Sequence, residues 1–162
     1  MSRVLRTQPL TVEAFAPFGD VLQIDGPPDK IINQGMCGRH HDRAVMDFGP
    51  EGRAGISIFD AKAYTLPLEL RMMERHPDGS QAFLPMGPEP FLVVVSQDDN
   101  GKPGTPTAFI TAQGQGVNYA RNTWHAVCTP LDRPAKFFVV DRIGPGENLQ
   151  EHWFENAYTV ES

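Results

Sequence analysis

Two separated stretches of the chain place imidazole, carboxyl and amide side chains at spacings from which acid–base chemistry can be built. The first is Arg71-Met72-Met73-Glu74-Arg75-His76. Read as a strand, it sends alternate side chains to opposite faces, so Met72, Glu74 and His76 share one face and Arg71, Met73 and Arg75 the other. The turn Pro77-Asp78-Gly79 follows, and Ser80-Gln81-Ala82-Phe83 resumes the strand pattern. The second stretch is Trp124-His125-Ala126-Val127-Cys128, where His125 and Val127 share a face opposite Trp124, Ala126 and Cys128. An imidazole changes charge near neutral pH, so it serves as proton donor or acceptor. A carboxyl beside it orients the ring or takes the proton itself, and an amide such as Gln81 offers both a donor and an acceptor. A closed sheet with Glu74, His76 and His125 facing inward would bring these groups together.

The remainder of the chain reads as such a sheet. Its 162 residues suit one domain, residues 1–162, and the 40% of apolar residues suffice for one core. The 15 glycines and 15 prolines interrupt the chain too often for long helices, which excludes bundles and coiled coils and favours short strands joined by turns. Strands are expected over residues 21–24, 55–59, 71–76, 81–84, 90–96, 107–111, 124–128 and 136–142. Asn100-Gly101 suits a hairpin turn. One short helix is expected after the N-cap Thr11, with Glu13 in its first turn, Leu10 and Phe15 as a hydrophobic staple, and Pro17 and Gly19 limiting its length. The tail, residues 147–162, carries Trp153, Phe154 and Tyr158 and is expected to pack on the outside of the barrel or on a partner. A barrel or sandwich is the economical all-β solution, because closing the sheet removes exposed edges.

Composition removes several classes of function. With 14 basic and 20 acidic residues, a net charge of −6 and no Lys/Arg cluster, the chain lacks the footprint of a nucleic-acid binder. No apolar run approaches the roughly 18–20 residues of a membrane span, and the N-terminus has no hydrophobic signal core. Cys37 and Cys128 form no Cys-x-x-Cys pair and read as free thiols, which points to the cytoplasm. A nucleophile elbow, P-loop, dinucleotide fingerprint and zinc signature are all absent.

The spacing Glu74-x-His76-x4-Gln81-x5-Gly87, followed by Gly114-x5-Ala120-x-Asn122-x2-His125, resembles the two strand motifs of the cupin barrel, with several residue types changed. Asn at position 122 stands where those motifs have glycine and tolerates a left-handed backbone better than most residues. More specifically, Glu74-Arg75-His76-Pro77, Ser80-Gln81-Ala82-Phe83-Leu84-Pro85, the block 116–125 and Phe137-Phe138-Val139-Val140-Asp141-Arg142 resemble the ureidoglycolate lyase family. Phe15-x-x-Phe18-Gly19-Asp20-Val21 agrees too, and Asn33-x-Gly35 with Arg39-x-His41-Asp42 agrees more weakly. The resemblance implies a homodimeric, cupin-like double-stranded β-helix barrel that cleaves (S)-ureidoglycolate to glyoxylate and urea in allantoin and purine catabolism. That reaction needs a base, an acid and a carboxylate anchor, and no nucleophile. His76 and His125 are the acid–base candidates, with Glu74 orienting His76 or acting as base. Gln81 suits the urea amide and Tyr119 a substrate oxygen. Arg39, Arg121 and Arg142 are the candidates for bidentate carboxylate binding. Cupin metal sites correspond here to Glu74, His76, Gln81 and His125. The family is sometimes credited with a divalent ion such as nickel, but the neutral Gln81 weakens the case for tight binding.

Two other readings predict different observations. A metal-dependent cupin oxygenase or isomerase acting on another small hydroxy acid requires stoichiometric metal. A non-catalytic cupin that binds a small carboxylate gives saturable binding without product. Taken alone, most of these residues also have ordinary explanations: His40 and His41 as solvated loop residues, Trp124, Phe137 and Phe138 as core, and Cys128 as a small buried apolar group. Asp141 and Arg142, at a strand end, suit pairing with neighbours.

Overall fold

The uninterrupted apolar run Phe91–Val95 is buried on both faces in the computed structural model, which describes residues 3–162. Alternate side chains serve two cores. Phe91, Val93 and Val95 point into one cluster with Phe83, Phe109, Val117, Phe137 and Val139, while Leu92 and Val94 point into another with Leu5, Leu70, Trp124, Tyr158 and Val160. A strand that is apolar throughout is what two-sided burial demands.

Among the described residues, sixteen strands carry the fold: β1 (Val4–Pro9), β2 (Gly19–Leu22), β3 (Lys30–Ile32), β4 (Cys37–Arg39), β5 (Arg53–Ala61), β6 (Leu68–Arg75), β7 (Gln81–Pro85), β8 (Phe91–Ser96), β9 (Asp98–Asp99), β10 (Lys102–Pro103), β11 (Thr107–Ile110), β12 (Gly116–Tyr119), β13 (Trp124–His125), β14 (Thr129–Pro130), β15 (Ala135–Ile143) and β16 (Gln150–Glu161). A five-stranded antiparallel sheet runs β2-β12-β7-β15-β5, and a seven-stranded sheet runs β11-β1-β16-β6-β13-β8-β14 with β11 also pairing β8. The protein is mostly β, with a closed barrel and a short helix near the N-terminus. That helix, α1 (Val12–Phe15), begins as expected: the Thr11 hydroxyl accepts from the Ala14 amide at 3.2 Å. Leu10 and Phe15 bury together in the core between the sheets.

The strand expectations differ from the structure where side-chain alternation carried no signal. The stretch 124–128 is not one strand, because β13 stops at His125 and β14 begins at Thr129. The tail is not an external appendage: β16 lies between β1 and β6 in the seven-stranded sheet, pairing Gln150–Trp153 and Tyr158–Val160 with β6 across an irregularity. Its polar residues face outward, and an inserted bulge breaks the period. Phe137 is fully buried whereas Phe138, on the opposite face of β15, is 42% exposed.

Phe137 meets the rings of Phe91 and Phe83 edge-on at 5.0 and 6.2 Å. Truncating it with Phe137→Ala leaves a cavity between the sheets and costs about 3–5 kcal/mol. Urea unfolding followed by circular dichroism measures this, and a loss under about 1 kcal/mol would mean that the barrel interior collapses to fill the void.

Candidate active site

Antiparallel register sets two short rows of side chains opposite one another. On the five-stranded sheet, Gln81 pairs with Tyr119 of β12 on one side and Asp141 of β15 on the other. On the seven-stranded sheet, His125 of β13 pairs with Glu74 of β6. His76, just beyond the end of β6, closes the space between the rows. Its Nε2 lies 3.1 Å from Gln81 Oε1, and its ring centre is 5.2 Å from that of His125.

Local backbone devices hold these positions. Asn122 adopts φ 66°, and its amide donates to the His76 carbonyl at 2.9 Å, so the turn before β13 is fastened to the end of β6. Gly19 lets β2 approach β12, because a Cβ there would lie 1.9 Å from the Asn118 carbonyl oxygen, next to Tyr119. Asn118 itself points away from this space and donates to Asp20 and to the Val45 carbonyl, both at 3.0 Å. On the far side of β6 and β13, Arg75 lies 4.4 Å over the Trp124 ring, and both side chains bond to Asp98.

His125 sits at the floor of the site, 1% exposed, with Tyr119 stacked on it at 4.2 Å and an interplanar angle of 4°. Its Nδ1–H donates to the Ala126 carbonyl at 2.9 Å, and its Nε2 has no hydrogen-bond partner among the described residues. Burial first, and His76 second, push its pKa down to about 3 against the opposing Ala126 bond, so the ring is neutral and Nε2 holds a free lone pair. Burial raises the Glu74 carboxyl above its ordinary range, with His76 opposing and Glu151 adding to the shift. Burial likewise raises the Tyr119 phenol, helped by nearby Cys128 and Glu74, so it remains a protonated donor. His76 Nδ1–H donates to the Asn148 carbonyl at 2.8 Å, and the Asn148 side chain accepts from the Asp78 amide at 2.7 Å.

One donor atom from each of Glu74, His76 and His125 lies within 4.8 Å of the others. Two imidazole nitrogens and a carboxyl oxygen, one of the nitrogens buried without a partner, form a donor set suited to a borderline divalent ion.

The three arginines lie elsewhere. Arg39 is exposed on β4, opposite Lys30 in a two-stranded hairpin. Arg142 is committed to the carbonyls of Phe48 and Pro145 at 3.0 and 3.1 Å. Arg121 is at the rim, where its Nε donates to the carbonyl of Pro77, the residue after His76, and its guanidinium makes long contacts with Asp47 and Asp78 at 3.8 and 4.0 Å. Two groups that touch the site were absent from the sequence reading of it. Asn148 lies in a loop and carries no pattern. Asp141 did carry a signal, as a carboxylate at the inward parity of Phe137 and Val139 in a strand otherwise buried on that side.

A buried uncharged imidazole, a second imidazole, a carboxyl and an amide are gathered in one place inside a closed β-barrel, as the cupin-like strand spacing implies. The family model described as ureidoglycolate lyase matches residues 2–161. The chain is 61% identical over 148 residues to a ureidoglycolate lyase of Rhodobacter capsulatus, covering 91% of this chain and 92% of that protein. It is 53% identical to one of Mesorhizobium japonicum, with 99% and 98% covered, and 51% identical to ureidoglycolate lyase 2 of Rhizobium meliloti, with 97% of each covered. The chain belongs to the ureidoglycolate lyase family.

His125 also couples stability to pH. Unfolding returns its pKa from about 3 to the ordinary 6.5, so between these values the unfolded chain binds a proton that the folded chain does not. Stability is therefore complete above 6.5 and is lost as the pH falls towards 3, with a slope of up to about 1.4 kcal/mol per pH unit from this one group. In chelator-treated protein, His125→Asn should remove that share of the slope in urea titrations; an unchanged slope would place the protonated ring inside the fold.

Proposed function

We infer that the protein cleaves ureidoglycolate to glyoxylate and urea, in the breakdown of allantoin and purines, by proton transfer between two imidazoles. The supporting observation is the lone pair of His125 Nε2, buried, unpaired and a ring's width from His76. The substrate carries a hydroxyl, a carboxylate and a ureido group on one carbon. His125 takes the hydroxyl proton, the C–O bond becomes a carbonyl, the C–N bond breaks, and its electron pair stays on the urea nitrogen. His76, held by Asn148 and Gln81, supplies the proton that nitrogen needs. One proton leaves oxygen, one reaches nitrogen, and no water is consumed. Glu74, beside both rings, balances the charge that passes between them. The Tyr119 hydroxyl donates to a substrate oxygen. Arg121 is the anchor favoured for the substrate carboxylate, because Nε holds the Pro77 carbonyl while its two terminal nitrogens make only long contacts, to Asp47 and Asp78, that an incoming anion could replace.

Glu74, His76 and His125, with the Gln81 carbonyl oxygen beside them, would hold a divalent ion such as nickel. When bound, that ion supplies a Lewis acid that polarises the oxygen it meets. Two unpaired cysteines, Cys37 and Cys128, fit a reducing cytoplasm, and no helix among the described residues is long and apolar enough to cross a membrane.

His125→Asn removes the base while keeping a side chain that can hydrogen-bond, and should lower turnover by at least about a hundredfold. The assay follows glyoxylate release after subtraction of the substrate's spontaneous decay, and near wild-type rates would remove His125 from the reaction. Running it with and without chelator separates chemistry carried by the side chains from chemistry that needs an ion.

A homodimer completes this reading. On the outer face of the five-stranded sheet, Ile56 (72% exposed), Ile58 (53% exposed), Leu84, Phe138 and Val140 form one apolar block across β5, β15 and β7. β5 is also an edge strand of nine residues, paired only with β15 among the described residues. A second copy related by a two-fold axis would cover both the face and the edge. Ile58→Glu should then shift the sedimentation coefficient from dimer to monomer while circular dichroism stays native. A wild-type protein that sediments as a monomer at micromolar concentration would rule the dimer out.

A further inference from the structure

We propose that Asp141 is a positioning residue that decides which end of the Gln81 amide faces the reaction centre. The proposal deepens the lyase reading of this site and rests on it.

A glutamine amide is nearly symmetrical in shape but opposite in polarity at its two ends, since the nitrogen only donates and the oxygen only accepts. A buried glutamine with no fixed partner could present either end to a substrate. Here the choice is made from behind. Asp141 stands opposite Gln81 in the β7–β15 ladder, and its Oδ2 lies 3.0 Å from Gln81 Nε2. A carboxylate oxygen accepts, so the amide nitrogen must be the end that faces Asp141. The other end, Oε1, is thereby turned towards His76 Nε2, 3.1 Å away, and towards the space between the rows. Gln81 is 6% exposed, so water cannot easily substitute for either partner. A second acceptor fixes His76 from its far side, where the Asn148 carbonyl lies 2.8 Å from Nδ1.

The consequence concerns recognition. The site meets an acceptor at Gln81. A ureido group carries several N–H donors and a single carbonyl, so an acceptor there selects its N–H edge and rejects a carbonyl in the same place. That arrangement holds the nitrogen to be released beside His76. Asp141 touches no reacting atom and acts only through Gln81. The same logic explains a carboxylate at the inward face of an otherwise apolar strand, where an unpartnered charge would be costly.

The experiment uses the full-length protein, two single variants and their combination. Asp141→Asn keeps the shape but offers Gln81 both a donor and an acceptor, so the orientation is no longer imposed. It should lower kcat by at least about tenfold while KM moves by less than about threefold, with the melting temperature nearly unchanged. Gln81→Glu alone sets two carboxylates against each other. The combined Q81E/D141N variant restores one donor facing one carboxylate and again presents an acceptor to His76. It should turn over at least about fivefold faster than the two single effects predict together; if Asp141→Asn alone does not fold, the test is that Q81E/D141N folds and turns over at least about fivefold faster than Gln81→Glu, and a rate no higher than that of Gln81→Glu overturns the proposal. Unchanged kcat in Asp141→Asn, or additive behaviour of the pair, overturns the proposal. Hydrogen exchange of the Gln81 side-chain amide, assigned by its loss in Gln81→Ala, gives a readout independent of turnover. It should be slow in the wild type and at least about tenfold faster in Asp141→Asn, and equal rates would overturn the proposal. Wild-type protein that releases no glyoxylate removes the lyase reading instead, while the exchange measurement still decides how the amide points.

Discussion

The stacking of Tyr119 on His125 is the contact around which the site is organised. A charged imidazole could not be kept at this depth without a counter-charge, so the ring stays neutral, and a neutral ring must place its one N–H on an acceptor. The Ala126 carbonyl takes that proton, which leaves the opposite nitrogen as a desolvated lone pair. Tyr119 comes from the five-stranded sheet and His125 from the seven-stranded sheet, so the stack can form only when the barrel is closed. The unprotonated, unpartnered state of Nε2 is in this sense a property of sheet closure.

Beside that ring, two acceptors fix the neighbouring polar groups. The Asn148 carbonyl holds His76 Nδ1 and the Asp141 carboxylate holds the Gln81 amide nitrogen, from two separate segments of chain. The arrangement differs from a shell of metal ligands, where a carboxylate would occupy position 81. Gln81 stands there, with the Asp141 carboxylate one strand away bonded to its amide nitrogen. The Glu74–His76–His125 triad nevertheless retains a geometry that an ion could occupy.

The flanking arginines show how rim and scaffold divide the work. Arg142 joins the loops at Phe48 and Pro145, and Arg75 clamps the outer surfaces of β6 and β13 through Trp124 and Asp98. The Arg75 contacts hold the backbone of the strands from outside, on the faces opposite Glu74 and His125. Arg121 is bonded at one end only, since Nε holds the Pro77 carbonyl while its terminal nitrogens make long contacts and are partly open to solvent.

Much of this was legible in the order of residues. Alternation along 71–76 put Glu74 and His76 on one face, the capping pattern at Thr11 set the helix, and the blocks 74–85, 116–125 and 137–142 carried the family resemblance, because each depends on neighbours within a few residues. Other features were not legible. The tail became β16 because the strand edge between β1 and β6 was available, which no local period records. The arginines could not be ranked, since a guanidinium reaches in any direction until its carbonyl partners are fixed in space. Asp141 and Asn148 joined the site through hydrogen bonds spanning 60 and 72 residues. Residue type and spacing therefore determined which titratable groups share a strand face. Burial, register and the placement of acceptors from distant strands decided which nitrogen holds the lone pair, because desolvation and hydrogen-bond direction exist only once the barrel has closed.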